Sequence, residues 1–375
     1  MKKRMTILGA LCLAVQIFLT GCAETGGQRH ITEERALEGD AAEEKEAVAD
    51  IISLTEDIME LEDGLSAVAF EGEDGFMQFL SQGGAASDRE LVEYLGDRLL
   101  SDLPGLLFGG NPFGCSTLSV PNRAGGYYFG RNFDWNTCNA LIVSARPSRG
   151  YASISTVNLD FIQAGGVDIS ALPDNIQAII GLYAPLDGMN EKGLAVSVNM
   201  IEDSDTIEQN TDKPDITTTT AIRLLLNQAA DTKEALSLLE QYDMHASMGM
   251  MVHFAIADAN GRSVVVEYVK NEMVVTDTPV VTNFYIAQGE KYGIGTSQSH
   301  LRYDILQEAL GGKESMDAGE VRDALDSVSK DNFGEFESTE WSIVMNQETK
   351  EMTYFHRENY STGYTFRIEQ EPSQE

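Results

Sequence analysis

Gly114-Cys115-Ser116-Thr117 is followed a short distance along the chain by Gly130-Arg131-Asn132-Phe133-Asp134-Trp135. A small residue stands before a cysteine that can act as a nucleophile, and Arg131 and Asp134 form a charged set that can tune the thiol and orient a base. These parts suit the hydrolysis of amide bonds. The same residue types also fit a disulfide at Cys115 and a simple salt bridge between Arg131 and Asp134.

The N-terminus predicts export. Lys2, Lys3 and Arg4 precede an apolar run at 5–19, which is too short for a comfortable transmembrane helix. Leu19-Thr20-Gly21-Cys22 resembles a bacterial lipobox, so we expect residues 1–21 to be a lipoprotein signal peptide and Cys22 to receive the lipid. An ordinary signal peptide that happens to contain a cysteine is the alternative. The predicted location is extracytoplasmic, on the bacterial cell membrane.

Charge limits the possible partners. The formal net charge is −34, which argues against nucleic acid and against electrostatic binding to anionic membrane. We therefore expect contact with the membrane through the lipid anchor only. Residues 22–45 are polar and acidic and are predicted to form a flexible spacer. The oligomeric state is left open by the sequence.

Two cysteines need an explanation once Cys12 and Cys22 are assigned to the signal peptide and the lipid. Cys115 and Cys138 could form one disulfide in an exported protein. The order of the motifs around Cys115 favours a nucleophile there and a free buried thiol at Cys138.

The motifs of several enzyme classes are absent from the sequence. It contains no G-x-S-x-G, no P-loop, no G-x-G-x-x-G after a strand and no H-E-x-x-H. The five histidines do not show metal-ligand spacing, so neither a metal nor a cofactor is predicted. A papain-like cysteine–histidine pair stays formally possible, although the sequence around Cys115 does not carry that signature.

Hydrophobic periodicity and turn signals predict one compact α+β domain after residue 45. Helices are expected at 48–61, from the capping box at 87–90, through a long stretch from 217 to 239, and from 317–320 onward. Strands are expected at 65–70, 117–120, 126–129, 140–145, 152–157 and 194–199, with a turn at 188–193. Hairpins are expected at 252–269, around Asn260-Gly261, and at 341–356.

The motifs resemble those of the choloylglycine hydrolase family of linear amide C–N hydrolases, which includes bile salt hydrolases and penicillin V acylases. Beyond the two segments at Cys115, the resemblance rests on Asp187-Gly188-Met189-Asn190-Glu191-Lys192-Gly193-Leu194-Ala195, on Asn199, on Thr282-Asn283 and on the stretch around Arg302. It covers about residues 114 to 360.

The resemblance implies the fold of an N-terminal nucleophile hydrolase, a four-layer αββα sandwich. It also implies that Cys115 attacks the amide with its own α-amine as the general base. Arg131 would favour the thiolate, and Asp134 would orient the amine. Asn199 and Asn283 would donate to the oxyanion, and Arg302 would complete the charged network.

One departure from the family concerns the residues that precede Cys115. For Cys115 to own a free amine, the bond between Gly114 and Cys115 must be cut, as in acyltransferases of the group that cleave themselves. A glycine tolerates the strained backbone that such a cut requires. We therefore expect a helical leading segment at 46–114, a catalytic domain at 115–375, and a processed heterodimer of fragments 22–114 and 115–375.

The predicted function is hydrolysis of linear, non-peptide C–N bonds in small N-acyl amides, such as bile salt conjugates or fatty N-acyl amides. Two alternatives stay open at this point. An acyltransferase would use the same residues, because only the acceptor of the thioester differs. An inactive solute-binding lipoprotein would keep the fold and leave the Gly114–Cys115 bond intact.

Overall fold

The computed structural model describes residues 50–99, 114–163, 169–330 and 338–369, which all fall within one compact unit at 48–375. The expected signal peptide at 1–21, the lipidated Cys22 and the spacer at 22–45 lie outside the described residues. Within the described ranges, no helix has both the length and the apolar character that crossing a membrane requires.

Strands dominate the described residues. They are, in chain order, β1 (Met59–Glu62), β2 (Leu65–Gly72), β3 (Gly114–Pro121), β4 (Tyr127–Trp135), β5 (Ala140–Pro147), β6 (Ser153–Asn158), β7 (Asp187–Asn190), β8 (Ala195–Met200), β9 (Asp215–Thr217), β10 (Asp243–His245), β11 (Val252–Ala257), β12 (Ser263–Val269), β13 (Glu272–Asp277), β14 (Val280–Val281), β15 (Ser338–Asn346), β16 (Glu351–His356) and β17 (Tyr364–Arg367).

Helices connect these strands. They are α1 (Phe76–Ser81), α2 (Asp88–Leu99), α3 (Leu159–Gln163), α4 (Asp174–Tyr183), α5 (Thr218–Gln228), α6 (Thr232–Leu239), α7 (Ser297–Leu310) and α8 (Ala318–Asp326).

Two large sheets organise the fold. The nine-stranded sheet has the order β1-β2-β5-β6-β7-β8-β11-β12-β13, and the six-stranded sheet has the order β14-β3-β4-β15-β16-β17. Strands β3 and β8 are in contact, so the two sheets face each other across the core. A separate parallel pair joins β9 and β10.

Helices cover the outer face of each sheet. Helices α4 and α5 pack on β2, β5, β6, β7 and β8 of the nine-stranded sheet, and α7 and α8 pack on β3, β4, β14 and β15 of the six-stranded sheet. Both faces of the central strands are therefore covered, and every residue of β8 and all but the last residue of β3 are buried. The predicted four-layer αββα sandwich is confirmed.

The leading segment differs from its prediction. No helix forms over the described part of 48–61: Ile52 N–H donates to Thr365 O of β17, and β1 begins at Met59. The apolar spacing there fits a helix, but pairing with distant strands overrides that local preference. Strand β2, which the sequence predicts, pairs in parallel with β5 along its whole length, so the leading segment is part of the nine-stranded sheet.

The other predicted elements hold with two changes. The long helix expected from 217 to 239 is two helices, because Asp231 caps the start of α6 with its carboxylate on the Glu234 N–H. Residues 188–190, the first half of the turn expected at 188–193, belong to strand β7. The two predicted hairpins are present, and Asp317 and Glu320 make a reciprocal capping box at α8.

Candidate active site

Cys115 lies near the start of β3 with its side chain fully buried. Its Sγ is 3.6 Å from the carbonyl oxygen of Val198 in β8, so the thiol points into the space between the two sheets. Cys115 lies opposite Phe133 of β4, and Thr117 lies opposite Arg131. Because alternate residues of a strand share a face, Cys115 and Arg131 both point to the nine-stranded sheet.

Three polar side chains meet between the two sheets, on the side of the thiol: Arg131 of β4, Asp187 of β7 and Asn199 of β8. We call them the thiol-side cluster. Arg131 Nε donates to Asp187 Oδ2 at 2.6 Å, and its Nη1 donates to Asn199 Oδ1 at 3.2 Å. Trp341 Nε1 also donates to Asp187 Oδ2, at 3.0 Å. Both charged side chains are wholly buried, so each depends on the other for compensation.

A second set, Arg302, Asp134 and Asn283, surrounds the backbone of Cys115, and we call it the backbone-side cluster. Arg302 Nη1 donates to Cys115 O at 2.8 Å and to Asp134 Oδ2 at 3.0 Å, and its Nη2 donates to Asn283 Oδ1 at 2.8 Å. The backbone N–H of Cys115 donates to the same Asn283 oxygen at 2.8 Å. The nitrogen that a cut before Cys115 would release is therefore already held by this cluster.

Arg131 and Asp134 do not pair with each other. They are three residues apart in β4, and an odd spacing in a strand places side chains on opposite faces. Asp134 instead pairs with Arg302 of α7 and accepts a hydrogen bond from Thr339 Oγ1 at 2.8 Å. The expectation that the two residues act on Cys115 as one charged pair is wrong.

In the uncleaved chain, burial opposes ionisation of the Cys115 thiol. Burial raises its pKa above the ordinary value, Asp134 raises it further, and Arg131 and Arg302 lower it. The expected influence of Arg131 is present, but burial outweighs it.

Gly114 is closely packed in the uncleaved chain. Its φ lies outside the left-handed region, so the backbone shows no such strain before the cut, and strain during the cut stays a prediction. A Cβ at this position would lie 2.8 Å from Asp134 Oδ2 and 3.1 Å from Lys330 Nζ. The acyl side of the Gly114–Cys115 bond thus lies against the Asp134 carboxylate and the Lys330 ammonium.

Asn199 and Asn283 link the two sheets in the uncleaved chain. Asn199 Nδ2 donates to Val281 O at 3.4 Å, and Asn283 Nδ2 donates to Met200 O at 2.6 Å. Each amide nitrogen carries a second N–H, which a substrate oxygen can use. The oxyanion role stays a prediction, since the geometry fixes the position of both side chains and not their ligand.

Sequence reasoning missed Asp187 and Lys330. Asp187 opens the Asp-Gly-Met-Asn segment of the family motif, so the sequence carries a signal for it. Lys330 Nζ lies 3.9 Å from Asp134 Oδ2, and its backbone N–H donates to Thr339 Oγ1. Nothing in the local sequence marks this lysine, because its place depends on the pairing with Thr339.

Cys115 and Cys138 are both free and buried, so the disulfide alternative is not realised. Cys138 N–H donates to Glu340 Oε2, and burial holds the pKa of its thiol well above the ordinary value. Across the described ranges, no group of three or more His, Cys, Asp or Glu side chains could hold a metal ion. The site is built from two arginines, two aspartates, two asparagines and one thiol.

Known proteins resemble this chain in sequence and fold. Residues 115–285 match the linear amide C-N hydrolases, choloylglycine hydrolase family. A mutant of the conjugated bile acid hydrolase from Clostridium perfringens shares 19% identity at a TM-score of 0.50, over 68% of this chain and 92% of that chain.

Two further solved structures show weaker similarity. Penicillin V acylase from Agrobacterium tumefaciens has 16% identity and a TM-score of 0.43, over 64% of this chain and 83% of that chain. A Caenorhabditis elegans ortholog of N-acylethanolamine-hydrolyzing acid amidase has 15% identity and a TM-score of 0.43, over 62% and 93%. No curated protein sequence matches the chain.

Proposed function

Residues 115–285 belong to the choloylglycine hydrolase family of linear amide C–N hydrolases, and we propose that Cys115 becomes the catalytic nucleophile once the chain is cut between Gly114 and Cys115. The observation that carries this proposal is the contact of the backbone-side cluster with Cys115 N and O. Charged and amide groups converge on the main chain of one residue whose side chain no substrate can reach.

The cut proceeds through an N-to-S acyl shift. The Cys115 thiol gives up its proton, and the sulfur bonds to the Gly114 carbonyl carbon. The C–N bond then breaks, and the nitrogen takes a proton, which leaves a thioester and the α-amine of Cys115. Water hydrolyses the thioester, giving a Gly114 carboxylate and restoring the thiol.

The same groups then serve the amide substrate. The α-amine of Cys115 takes the thiol proton, because its ordinary pKa of about 8 lies close to that of a thiol. Arg131, now opposite a more accessible sulfur, favours the thiolate. Asp134 and Asn283 hold the amine, while Asn199 and Asn283 donate to the tetrahedral oxygen, a contribution of about 3–4 kcal/mol per donor.

Substrates in this proposal are small N-acyl amides with a bulky apolar acyl group, such as bile salt conjugates or fatty N-acyl amides. Aromatic side chains follow the site along β4: Phe133 faces Phe161 at 6.3 Å between ring centroids, and Trp135 faces the same ring at 4.7 Å. The net charge of −34 favours neutral amides over anionic ones.

We also propose that Cys22 carries a lipid that tethers the enzyme outside the cytoplasmic membrane.

The leading fragment stays bound after the cut in this proposal. Strand β2 makes a full parallel ladder with β5, and its neighbour β1 extends the same sheet. Loss of fragment 22–114 would remove β1 and β2 and expose the edge of β5 and part of the core. A heterodimer of fragments 22–114 and 115–375 is therefore expected.

The test compares two buried cysteines. The chain without residues 1–21 is purified as wild type, as Cys115→Ala and as the matched control Cys138→Ala, then followed by intact mass and N-terminal sequencing. Wild type and Cys138→Ala are expected to yield a new N-terminus at Cys115 and to release amine from an N-acyl amide panel. Cys115→Ala should stay whole and inactive.

Each other outcome points to one alternative. A wild-type chain that stays whole, and holds a ligand without turnover, indicates a solute-binding protein. Faster release of the acyl group when a second amine is added, with a new amide as product, indicates an acyltransferase. Cleavage of the Cys115→Ala chain at the same bond would contradict the proposed nucleophile.

A further inference from the structure

His253 and Glu267 form a fully buried pair that no step of the proposed reaction uses. His253 lies in β11 and Glu267 in β12, and Nδ1 of the histidine is 3.1 Å from Oε1 of the glutamate. Neither side chain has any exposed surface. Burying ionisable groups away from water is unfavourable in free energy unless they are paired with fixed hydrogen-bond partners. The partners of this pair therefore indicate what it does.

The pair is bonded to both ends of the segment at 282–287. His253 Nε2 lies 2.7 Å from Thr282 O, while Glu267 accepts the N–H of Ile286 at Oε1, at 2.9 Å, and the N–H of Ala287 at Oε2, at 2.5 Å. Three backbone groups of one short segment thus depend on two side chains of the nine-stranded sheet.

Asn283 lies inside that segment. Its Oδ1 receives the Cys115 N–H and Arg302, as described for the backbone-side cluster. In addition, His253 is the direct cross-strand partner of Asn199, so the two side chains share the face of the sheet that meets Cys115. The pair therefore adjoins the supports of both site asparagines.

Hydrogen-bond roles fix where one proton of the pair must be. Thr282 O can only accept, so Nε2 carries a hydrogen. A neutral ring would then turn the lone pair of Nδ1 toward Oε1 of Glu267. Two acceptors, Nδ1 and Oε1, would then face each other without a hydrogen between them. A second proton between these two atoms removes the repulsion, so we assign a shared proton to the pair from its hydrogen-bond partners.

We propose that the His253–Glu267 pair, with the proton it shares, is a positioning device that sets Asn283 against the backbone nitrogen of Cys115. The inference deepens the proposed function and rests on it for its catalytic meaning. Glu267 acts through the segment at 282–287 and touches neither the substrate nor the thiol. Its replacement by glutamine puts an N–H against an N–H of Ile286 or Ala287 and displaces the segment.

A matched control is available in a second buried pair. Arg223 Nη2 donates to Asp74 Oδ2 at 2.8 Å, with both side chains almost fully buried. Arg223 lies in helix α5, and its Nη1 also donates to Ser153 Oγ of β6. The pair therefore lies on the outer side of the nine-stranded sheet. Asp74→Asn therefore damages a comparable buried pair without touching the segment at 282–287.

The first measurement does not need an active enzyme. In the Cys115→Ala chain, which stays uncut in the proposal, the amide at position 115 still donates to Asn283. Adding Glu267→Gln is expected to speed its hydrogen exchange about tenfold through local opening, whereas adding Asp74→Asn should leave it unchanged. Equal exchange at position 115 in both double variants would overturn the inference, whatever the wild type does.

The second measurement separates positioning from stability. At a temperature well below unfolding of the weaker variant, processed Glu267→Gln should lose about tenfold in kcat with KM within about twofold, and Asp74→Asn should keep kcat. Unchanged kcat in processed Glu267→Gln contradicts the inference alone. A wild type that is never cut contradicts the proposed function alone, and the exchange result still decides the inference.

Discussion

The two faces of the six-stranded sheet carry parallel sets of residues with different tasks. On each face an arginine bridges a buried aspartate and the Oδ1 of an asparagine: Arg131 with Asp187 and Asn199, and Arg302 with Asp134 and Asn283. The first set faces the thiol, between the sheets. The second lies beneath α7 and holds the main chain.

The difference teaches how one cysteine can serve two reactions. The thiol-side cluster controls the charge of sulfur, because Arg131 lowers the pKa that burial raises. The backbone-side cluster controls the geometry of the Gly114–Cys115 bond, because its contacts are to Cys115 N and O. Breaking the thiol-side cluster should therefore act mainly on the pH dependence of processing, and breaking the backbone-side cluster should act mainly on its rate at every pH.

The largest effect is expected for Asp134→Asn. It leaves Arg302 buried without its counter-charge, which typically costs about 3–5 kcal/mol of stability, and it removes the group beside Gly114. Processing should slow by about a hundredfold or more, a loss equivalent to about 3 kcal/mol in the barrier. Thermal unfolding and the fraction of uncut chain over time measure both.

Asp317→Asn is the matched control for that prediction. Asp317 pairs with Arg123 at the surface and caps α8, a function that asparagine keeps. It should alter stability by less than about 1 kcal/mol and leave processing alone. Normal cutting in Asp134→Asn would remove the backbone-side cluster from the mechanism.

Next in size is Arg131→Gln. Without this guanidinium the pKa of the Cys115 thiol rises further, so less thiolate forms near neutral pH, about tenfold less for each increase of one in the pKa. Processing should slow at neutral pH and recover as the pH is raised toward the elevated pKa of the thiol. Arg131→Lys keeps the positive charge, so its processing should recover at a lower pH than that of Arg131→Gln.

Arg302→Gln is the contrast to that variant. Arg302 lowers the thiol pKa less than Arg131 does, and it also holds the main chain. Alkali should therefore restore only a small part of the variant's processing, and the rate-against-pH curve should shift less than in Arg131→Gln while staying at a lower level. Recovery of Arg302→Gln in parallel with Arg131→Gln would mean that both clusters act through the charge of the sulfur.

The sequence predicted the local features of this arrangement better than contacts between residues far apart in the chain. The αββα fold and the six site positions, Cys115 among them, were expected from the resemblance of the motifs to those of the family. The spacing of Arg131 and Asp134 also held the information that they lie on opposite faces, but β4 was predicted only at 126–129, short of both residues. Their actual partners depend on pairing between distant strands and helices, which local pattern does not encode.

The same reasoning explains the leading segment and His253. A helical spacing at 48–61 was a sound local signal, and pairing with Thr365 of β17 overrode it. His253 stood among five scattered histidines with no spacing to mark it. Its role follows only from the contact of β11 with β12 and with the segment at 282–287.

A smaller effect is expected for Gly114→Ala, which tests close packing at the bond itself. The added methyl would lie 2.8 Å from Asp134 Oδ2, so the carboxylate must move. Overpacking typically costs about 1–3 kcal/mol, and processing should slow about tenfold, which corresponds to about 1.4 kcal/mol. Time courses of cutting at constant pH provide the measurement.

Gly130→Ala serves as its control in the same sheet. A Cβ there would meet Val321 Cγ1 at 3.1 Å and Leu118 Cδ2 at 3.2 Å, both apolar and away from Cys115. It should reduce stability by a similar amount and leave the cut unaffected. If both variants slow processing equally, the loss reflects general destabilisation and not the position of Asp134.

The smallest effect is expected for Lys330→Gln. Its Nζ is 3.9 Å from Asp134 Oδ2 and retains some solvent contact, so the pair is weaker than the one with Arg302. Yet it is the ammonium nearest Gly114, whose carbonyl gains negative charge during the attack and ends as a carboxylate. Processing should slow about threefold to tenfold, within about 1.4 kcal/mol, and Lys330→Arg should keep most of the rate. If Lys330→Gln is processed as fast as wild type, Lys330 does not assist the attack on the Gly114 carbonyl. The groups that assist the cut would then be only the three members of the backbone-side cluster, Arg302, Asp134 and Asn283.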